Sequence, residues 1–200
     1  MREQGSDNQG LIPRFVTDLF DNLNSNQNGE KEVLNYKVKI SFLEIYGEDV
    51  FDLISSSNGN NKSPRSLIGD RAGLPVREDE QGKVFVQGQN EIETCSADAV
   101  LECLCRGSAN RVTASTNMNA GSSRSHAVFT ITLEQNVKHS SDFDDNTNAY
   151  PSVVTTSKLT FVDLAGSERI KRTGAEGQRL KEGIQINSGL FNLGLTLLIT

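Results

Sequence analysis

The chain has 200 residues, enough for one domain or part of a larger one, with 36% hydrophobic and 23% charged residues, an ordinary soluble balance. Its formal net charge of -6 argues against a general nucleic-acid binder, though not against a local basic patch on an acidic body. No apolar stretch is long enough for a membrane span, and the polar opening "MREQGSDNQG" is not a secretory signal. The cysteines Cys95, Cys103 and Cys105 form neither a disulfide framework nor a zinc set, so a reduced, cytoplasmic setting is expected.

The first element is a helix. "GLIPRFVTDLFDNL" places Leu11, Phe15, Leu19 and Leu23 at helical spacing, with Pro13 tolerated in the first turn. After the polar connector "NSNQNGEKE", the alternation of Val38, Ile40 and Phe42 predicts a strand. Val50, Leu53 and Ile54 suggest a short helical piece, and Ser55 to Gly73 a surface loop rich in Ser, Asn and Gly. "LPVREDEQGKVFVQGQNEIET" predicts a hairpin turning at Gln81-Gly82.

Ser96 is positioned to cap a helix through "AVLECLCRGSANR", which would turn Cys103 and Cys105 to different faces. A strand is expected over Ala127 to Glu134, a polar connection from Asn136 to Ser157, and a second strand in "KLTFVDLAG" ending at Asp163. "RLKEGIQINSGLFNLGL" has a helical pattern weakened by Gly183, Gly189 and Gly194. No internal repeat is visible. The alternation of strands and helices predicts an α/β fold with a central mixed sheet flanked by helices.

Two segments carry chemistry. Asp163 ends an apolar strand containing Leu159, Phe161 and Val162, and Gly166 follows three residues later. Ligands of open α/β sheets bind beyond the carboxyl ends of strands. A carboxylate there suits magnesium, directly or through water, and a nearby glycine lets a backbone N–H approach a terminal phosphate. The second segment is "NAGSSRSH", in which Ser122, Ser123, Arg124, Ser125 and His126 crowd the mouth of a strand. A serine hydroxyl is a hard oxygen ligand for magnesium, and adjacent hydroxyls can orient an attacking water. Arg124 can pair with Glu168, two residues past Gly166, in a bidentate contact that forms when both loops close. The plainer reading of each segment is a strand ending in a turn and a solvated, capped turn.

"NAGSSRSH" and "SKLTFVDLAGSERIKRTGAEG" resemble the two nucleotide-switch segments of the kinesin motor domain. "SFLEIYGEDVFDLI", "TNMN" and "INSGL" match further segments of that family in the same order, from about Gly10 to Gly194. "SHAVFTITLEQ" with "RLKEGIQINSGL" is most similar to the chromokinesin branch, the fourth kinesin family. The resemblance implies a P-loop NTPase-like architecture, with ATP and Mg2+ as ligands and the microtubule as partner.

It also implies roles for matching residues. Ser123 would contact magnesium and help position the lytic water beside Ser122, Asn119 would lie near the γ-phosphate, and Asp163 would hold magnesium through water. Gly166 would sense the γ-phosphate, and Arg124 with Glu168 would close the site. Lys171, Arg172 and Lys181 are the implied microtubule contacts, a local basic patch against an acidic filament. Dimerisation and a coiled coil are implied for the full-length protein, outside this segment. No nucleic-acid or membrane partner is expected for these residues.

The family's phosphate loop is not found. The one Gly-Lys pair, Gly82-Lys83, has Arg77 where Gly-x-x-x-x-Gly-Lys needs its first glycine. The chain is therefore expected to be a motor domain incomplete at both ends, starting after that loop and stopping before later microtubule-binding helices. Leu195 also stands where the family carries an asparagine. Two further readings stay open. One is a nucleotide-independent microtubule-binding remnant. The other is a GTPase, disfavoured because Asn61-Lys62 is followed by Ser63-Pro64 rather than a guanine-reading motif.

Overall fold

Nine elements follow one another in the computed structural model, which describes residues 9–25, 32–55, 73–116, 124–138 and 152–166. They are α1 (Leu11–Ser25), β1 (Glu32–Tyr46), β2 (Asp49–Asp52), β3 (Val76–Glu78), β4 (Val84–Val86), β5 (Ile92–Thr94), α2 (Ala97–Thr116), β6 (Ser125–Lys138) and β7 (Ser152–Asp163). One sheet has the order β2-β1-β6-β7 with β5 also on β1, and β3 pairs β4 separately. The long strand β1 is the organiser: its Val38 and Ile40 pair antiparallel with Thr94 and Ile92 of β5, and its Leu43 to Tyr46 with Asp52 to Asp49 of β2.

The chain divides into two compact units, one of residues 1–41, 91–106 and 129–161, the other of residues 42–90, 107–128 and 162–200. In the first, the expected alternation of β1 holds, with Val38 and Ile40 buried and Lys39 between them reaching Glu134 at 2.7 Å. That hydrogen bond raises the Lys39 pKa above its ordinary value. Val16 and Phe20 of α1, Val100 and Cys103 of α2, and Phe129 and Ile131 of β6 are the other buried apolar residues of this unit among the described residues.

The helix α1 forms where expected, but its buried positions are Val16 and Phe20, while Leu11 is 65% exposed. Phe15 packs edge-on against Phe161 with centroids 5.7 Å apart. Ser96 caps α2 as expected, its Oγ accepting the Ala99 N–H at 3.2 Å. The two-residue offset turns Cys103 inward and leaves Cys105 exposed.

The second unit holds one correction. The short helical piece expected with Val50, Leu53 and Ile54 is instead the strand β2 followed by a bend, the chain returning along β1 through a tight turn at Gly47 with φ of 61°. A φ in the left-handed region favours glycine, and the two-residue connection leaves no room for a helical turn. Asp52 then closes the next bend. Its Oδ1 accepts the N–H groups of Ile54 and Ser55, and its Oδ2 accepts those of Asn90. Val50, Leu53 and Ile54 are buried by this route rather than on a helix face. The hairpin β3–β4 turns at Gly82, as expected, with Asp79 Oδ1 accepting from Gln81 and Lys83 N–H.

Gly107 in α2 lies flat against Phe42, a buried ring of β1. A Cβ built there would come within 3.0 Å of both Phe42 Cδ1 and Cε1. Gly107→Ala is therefore expected to destabilise the protein by about 1–3 kcal/mol through overpacking, outweighing the roughly 1 kcal/mol gain in helix propensity. Chemical denaturation of the full-length protein measures this, and a neutral or stabilising result would show that the ring moves freely.

The segments 26–31, 56–72, 117–123, 139–151 and 167–200 lie outside the described residues. So do the expected loop after Ser55 and the expected helix "RLKEGIQINSGLFNLGL".

Candidate functional site

The end of β7, the start of β6 and the last turns of α2 meet in the second unit. Asp163 is the last residue of β7 and Ser125 the first of β6, so both sit where strand gives way to loop. Arg111 reaches them from α2, and its side chain is only 12% exposed. Its Nη1 donates to Asp163 Oδ2 at 2.5 Å, its Nη2 to the Ser125 carbonyl at 2.9 Å, and its Nε to Ser125 Oγ at 3.4 Å. Glu44, a buried carboxylate on β1, stands 3.9 Å from the same guanidinium.

A second link runs from strand to loop. The Ala165 N–H donates to His126 Nδ1 at 3.0 Å, and Ala165 is itself buried. An accepting Nδ1 places the imidazole proton on Nε2 and requires the neutral ring. Burial lowers the His126 pKa below its ordinary value, the Arg111 charge lowers it further, and Asp163 opposes them. Thus the segment Asp163–Ala165 is held at two points, by charge at Asp163 and by a neutral acceptor at Ala165.

Asp163 remains 70% exposed despite its arginine partner. An exposed carboxylate at a strand's carboxyl end fits a hydrated magnesium ion, which prefers oxygen ligands and keeps most of its waters. Among the described residues no group of three or more His, Cys, Asp or Glu could hold a metal. The carboxylate therefore offers one anchoring point and not a cage.

Of the residues singled out from sequence, Asp163, Arg124 and Gly166 lie among the described residues. Asp163 ends β7, Arg124 is half-buried in the turn before β6, and Gly166 is half-buried directly after Ala165. Asn119, Ser122, Ser123, Glu168, Lys171, Arg172 and Lys181 lie outside them, and with Glu168 the expected Arg124–Glu168 pair. Sequence reasoning missed Arg111 and Glu44 and gave His126 no task. A signal for Arg111 existed: between Arg106 and Glu134 the only full charges are Arg111 and Arg124. Among the described residues, no helix is long and apolar enough to cross a membrane.

The fold is of the kinesin-motor class. The family model "Kinesin motor domain" matches residues 1–198, and the chain belongs to that family. It is 42% identical over 193 residues to kinesin-like protein KIN-4C of Arabidopsis thaliana, covering 94% of this chain and 14% of that protein. It is 41% identical over 191 residues to kinesin-like protein unc-104 of Caenorhabditis elegans, covering 96% of this chain and 11% of that protein. The chain thus spans a small part of the length of these relatives.

Among solved structures, it resembles that of a fast kinesin, with a TM-score of 0.66 and 35% identity over 92% of this chain and 44% of that one. It also resembles a KIF14 dimer with AMP-PNP on a microtubule, with a TM-score of 0.69 and 35% identity over 92% of this chain and 46% of that one. The expected fold, a mixed sheet flanked by helices in the kinesin-motor architecture, is the one found.

Proposed function

We propose that residues 1–200 are part of the motor domain of a microtubule-based motor that couples ATP hydrolysis to filament binding and movement. The observation that carries this is Asp163, fixed at the end of β7 by Arg111 while staying 70% exposed, beside a loop strand-tied through His126. The chain covers 44% and 46% of two solved kinesin chains. The phosphate loop and the later filament-binding helices then belong to parts of the motor outside these residues. Similarity to KIN-4C supports a place in the fourth kinesin branch, the chromokinesins.

In this reading ATP and magnesium would bind here, ATP offering the γ-phosphoryl group for transfer to water and magnesium offsetting its charge. Asp163 would hold the metal through water, Ser123 would contact it, and Ser122 with Ser123 would orient the lytic water. Asn119 would lie near the γ-phosphate, and the Gly166 N–H would sense that phosphate. Arg124 and Glu168 would pair if the two segments close. Lys171 and Arg172, five and six residues beyond Gly166, and Lys181, fifteen beyond it, would face the acidic filament. Ordering around Gly166 would then pass along a short stretch of chain, so that loss of the γ-phosphate would change filament affinity. The motor would work on cytoplasmic microtubules, as a dimer in the full-length protein.

The test is ATP turnover by the full-length protein with and without microtubules, together with cosedimentation in a non-hydrolysable ATP analogue and in ADP. Turnover is expected to rise with filaments, and filament affinity to differ roughly 5–150-fold between the two nucleotides. Equal binding in both nucleotides without turnover would replace this reading by a nucleotide-independent microtubule-binding module. Failure to bind filaments at all would remove both.

A further inference from the structure

One carboxylate in the second unit serves two segments that lie far apart in the chain. Asp52, half-buried at the end of β2, uses Oδ1 on its own bend, accepting the Ile54 N–H at 2.8 Å and the Ser55 N–H at 3.1 Å. A turn of this kind needs no more than that. Yet Oδ2 also accepts from Asn90, through its backbone N–H at 2.8 Å and its Nδ2 at 3.0 Å. The second pair ties down the chain where it leaves the β3–β4 hairpin, which forms a sheet of its own. Where the chain enters the hairpin, the Leu74 N–H donates to the Val50 carbonyl at 2.7 Å. Val50 and Asp52 both belong to β2, so one short strand carries both joints.

The same bend is held from α2. Leu53, buried between Asp52 and Ile54, gives its N–H to the Phe42 carbonyl at 2.8 Å. Its own carbonyl accepts from Asn110 Nδ2 at 2.7 Å. All of these residues belong to the second unit.

We propose that Asp52 is a conformational clip that makes the attachment of the β3–β4 hairpin depend on the position of α2. The Leu53 carbonyl and the Ile54 N–H are the two sides of one planar peptide unit. Asn110 grips one side of it and Asp52 Oδ1 the other. A carboxylate is itself planar, so Oδ2 turns whenever Oδ1 follows the peptide. A shift of Asn110 with the end of α2 therefore tilts that peptide, swings the carboxylate and loosens Asn90. The hairpin presents Val76, Val84 and Phe85 to solvent, and the clip sets how that apolar surface is held against the sheet. Nothing in this link needs bound nucleotide or metal, so it stands apart from the reading of Asp163.

Hydrogen exchange at single amides of the full-length protein tests it. The Leu74 amide is the reporter, because it bonds to Val50 and to none of the substituted residues. Asp52→Asn is nearly isosteric but leaves one acceptor oxygen for the donors of both Asn90 and the bend, and is expected to speed Leu74 exchange roughly tenfold. Asn110→Ala is expected to speed it roughly threefold. The double variant should match Asp52→Asn alone, because both changes break one chain of contacts. The Asp79 and Gln87 amides, bonded within the hairpin to the Lys83 and Pro75 carbonyls, should keep their rates, which a general loss of stability would not allow.

A Leu74 rate unchanged by Asp52→Asn, or a rise shared equally by Asp79 and Gln87, overturns the proposal. So does a Leu74 rate untouched by Asn110→Ala, or a double variant whose effect is the product of the two single ones. Should Asp52→Asn fail to fold, Asn90→Ala at its exposed position replaces it in the same cycle, and the same results decide.

Discussion

Asp163→Asn in the full-length protein is expected to cut microtubule-stimulated ATP turnover roughly 10–100-fold, the usual loss when a residue orienting a metal's waters is neutralised. Its effect on stability should be small. The side chain is 70% exposed, and exposed ion pairs contribute about 0–1 kcal/mol. The asparagine oxygen can still accept the Arg111 Nη1 hydrogen that now lies 2.5 Å from Asp163 Oδ2, so the guanidinium keeps a partner there as well as at Ser125. What disappears is the negative charge at the end of β7. Steady-state turnover and a thermal melt separate the two effects. Full turnover in the variant would show that Asp163 has no part in holding magnesium, and a large drop in melting temperature would make its role structural.

The same residue shows how far the sequence could be read. An apolar run ending in Asp, followed by a glycine, is a local pattern, and it placed Asp163 at the end of β7 and Gly166 just beyond it. Ser96 as a helix cap and Gly82 as a hairpin turn were legible for the same reason, since one residue type satisfies a nearby backbone need. The strand β2 was not legible. Val50, Leu53 and Ile54 have helical spacing, and only the return of the chain at Gly47 makes them strand and bend. The α1 face was legible only approximately, because Ile12, Phe15, Val16, Leu19, Phe20 and Leu23 make an apolar arc wide enough to turn either of two edges inward.

Arg111 lay beyond local reading altogether. Its partners are 14 residues away at Ser125 and 52 away at Asp163, and neither separation is a period of helix or strand. Glu44 is concealed in another way: it sits in a strand whose neighbours are apolar, where a carboxylate reads as surface. Contacts that join the end of one strand to the beginning of another are set by topology. The spacing of residues in the chain does not encode them, whereas the residues that meet a backbone need close by are visible at once.

His126 offers the second large effect, and it can be read through pH. Its Nδ1 accepts the Ala165 N–H at 3.0 Å only when the ring is neutral. Burial and the Arg111 charge hold its pKa below the ordinary 6.5 in the folded protein. A group whose folded pKa is depressed contributes stability that is complete above the unfolded value and is lost as pH falls from it toward the folded value. Stability of the Asp163–Ala165 segment should therefore be full above about pH 6.5 and decline below it. Hydrogen exchange at the Ala165 amide measures this directly. His126→Leu removes the acceptor and orphans a buried N–H, a loss of about 1–3 kcal/mol at every pH. His126→Asn can place its Oδ1 near the position of Nδ1, so it should keep much of the protection and abolish the pH dependence. If protection in the unsubstituted protein stays level from pH 8 down to about pH 5, protonation of His126 does not break the link. If His126→Leu protects the Ala165 amide as well as His126 does, the loop is held by the Arg111 contact to Asp163 alone.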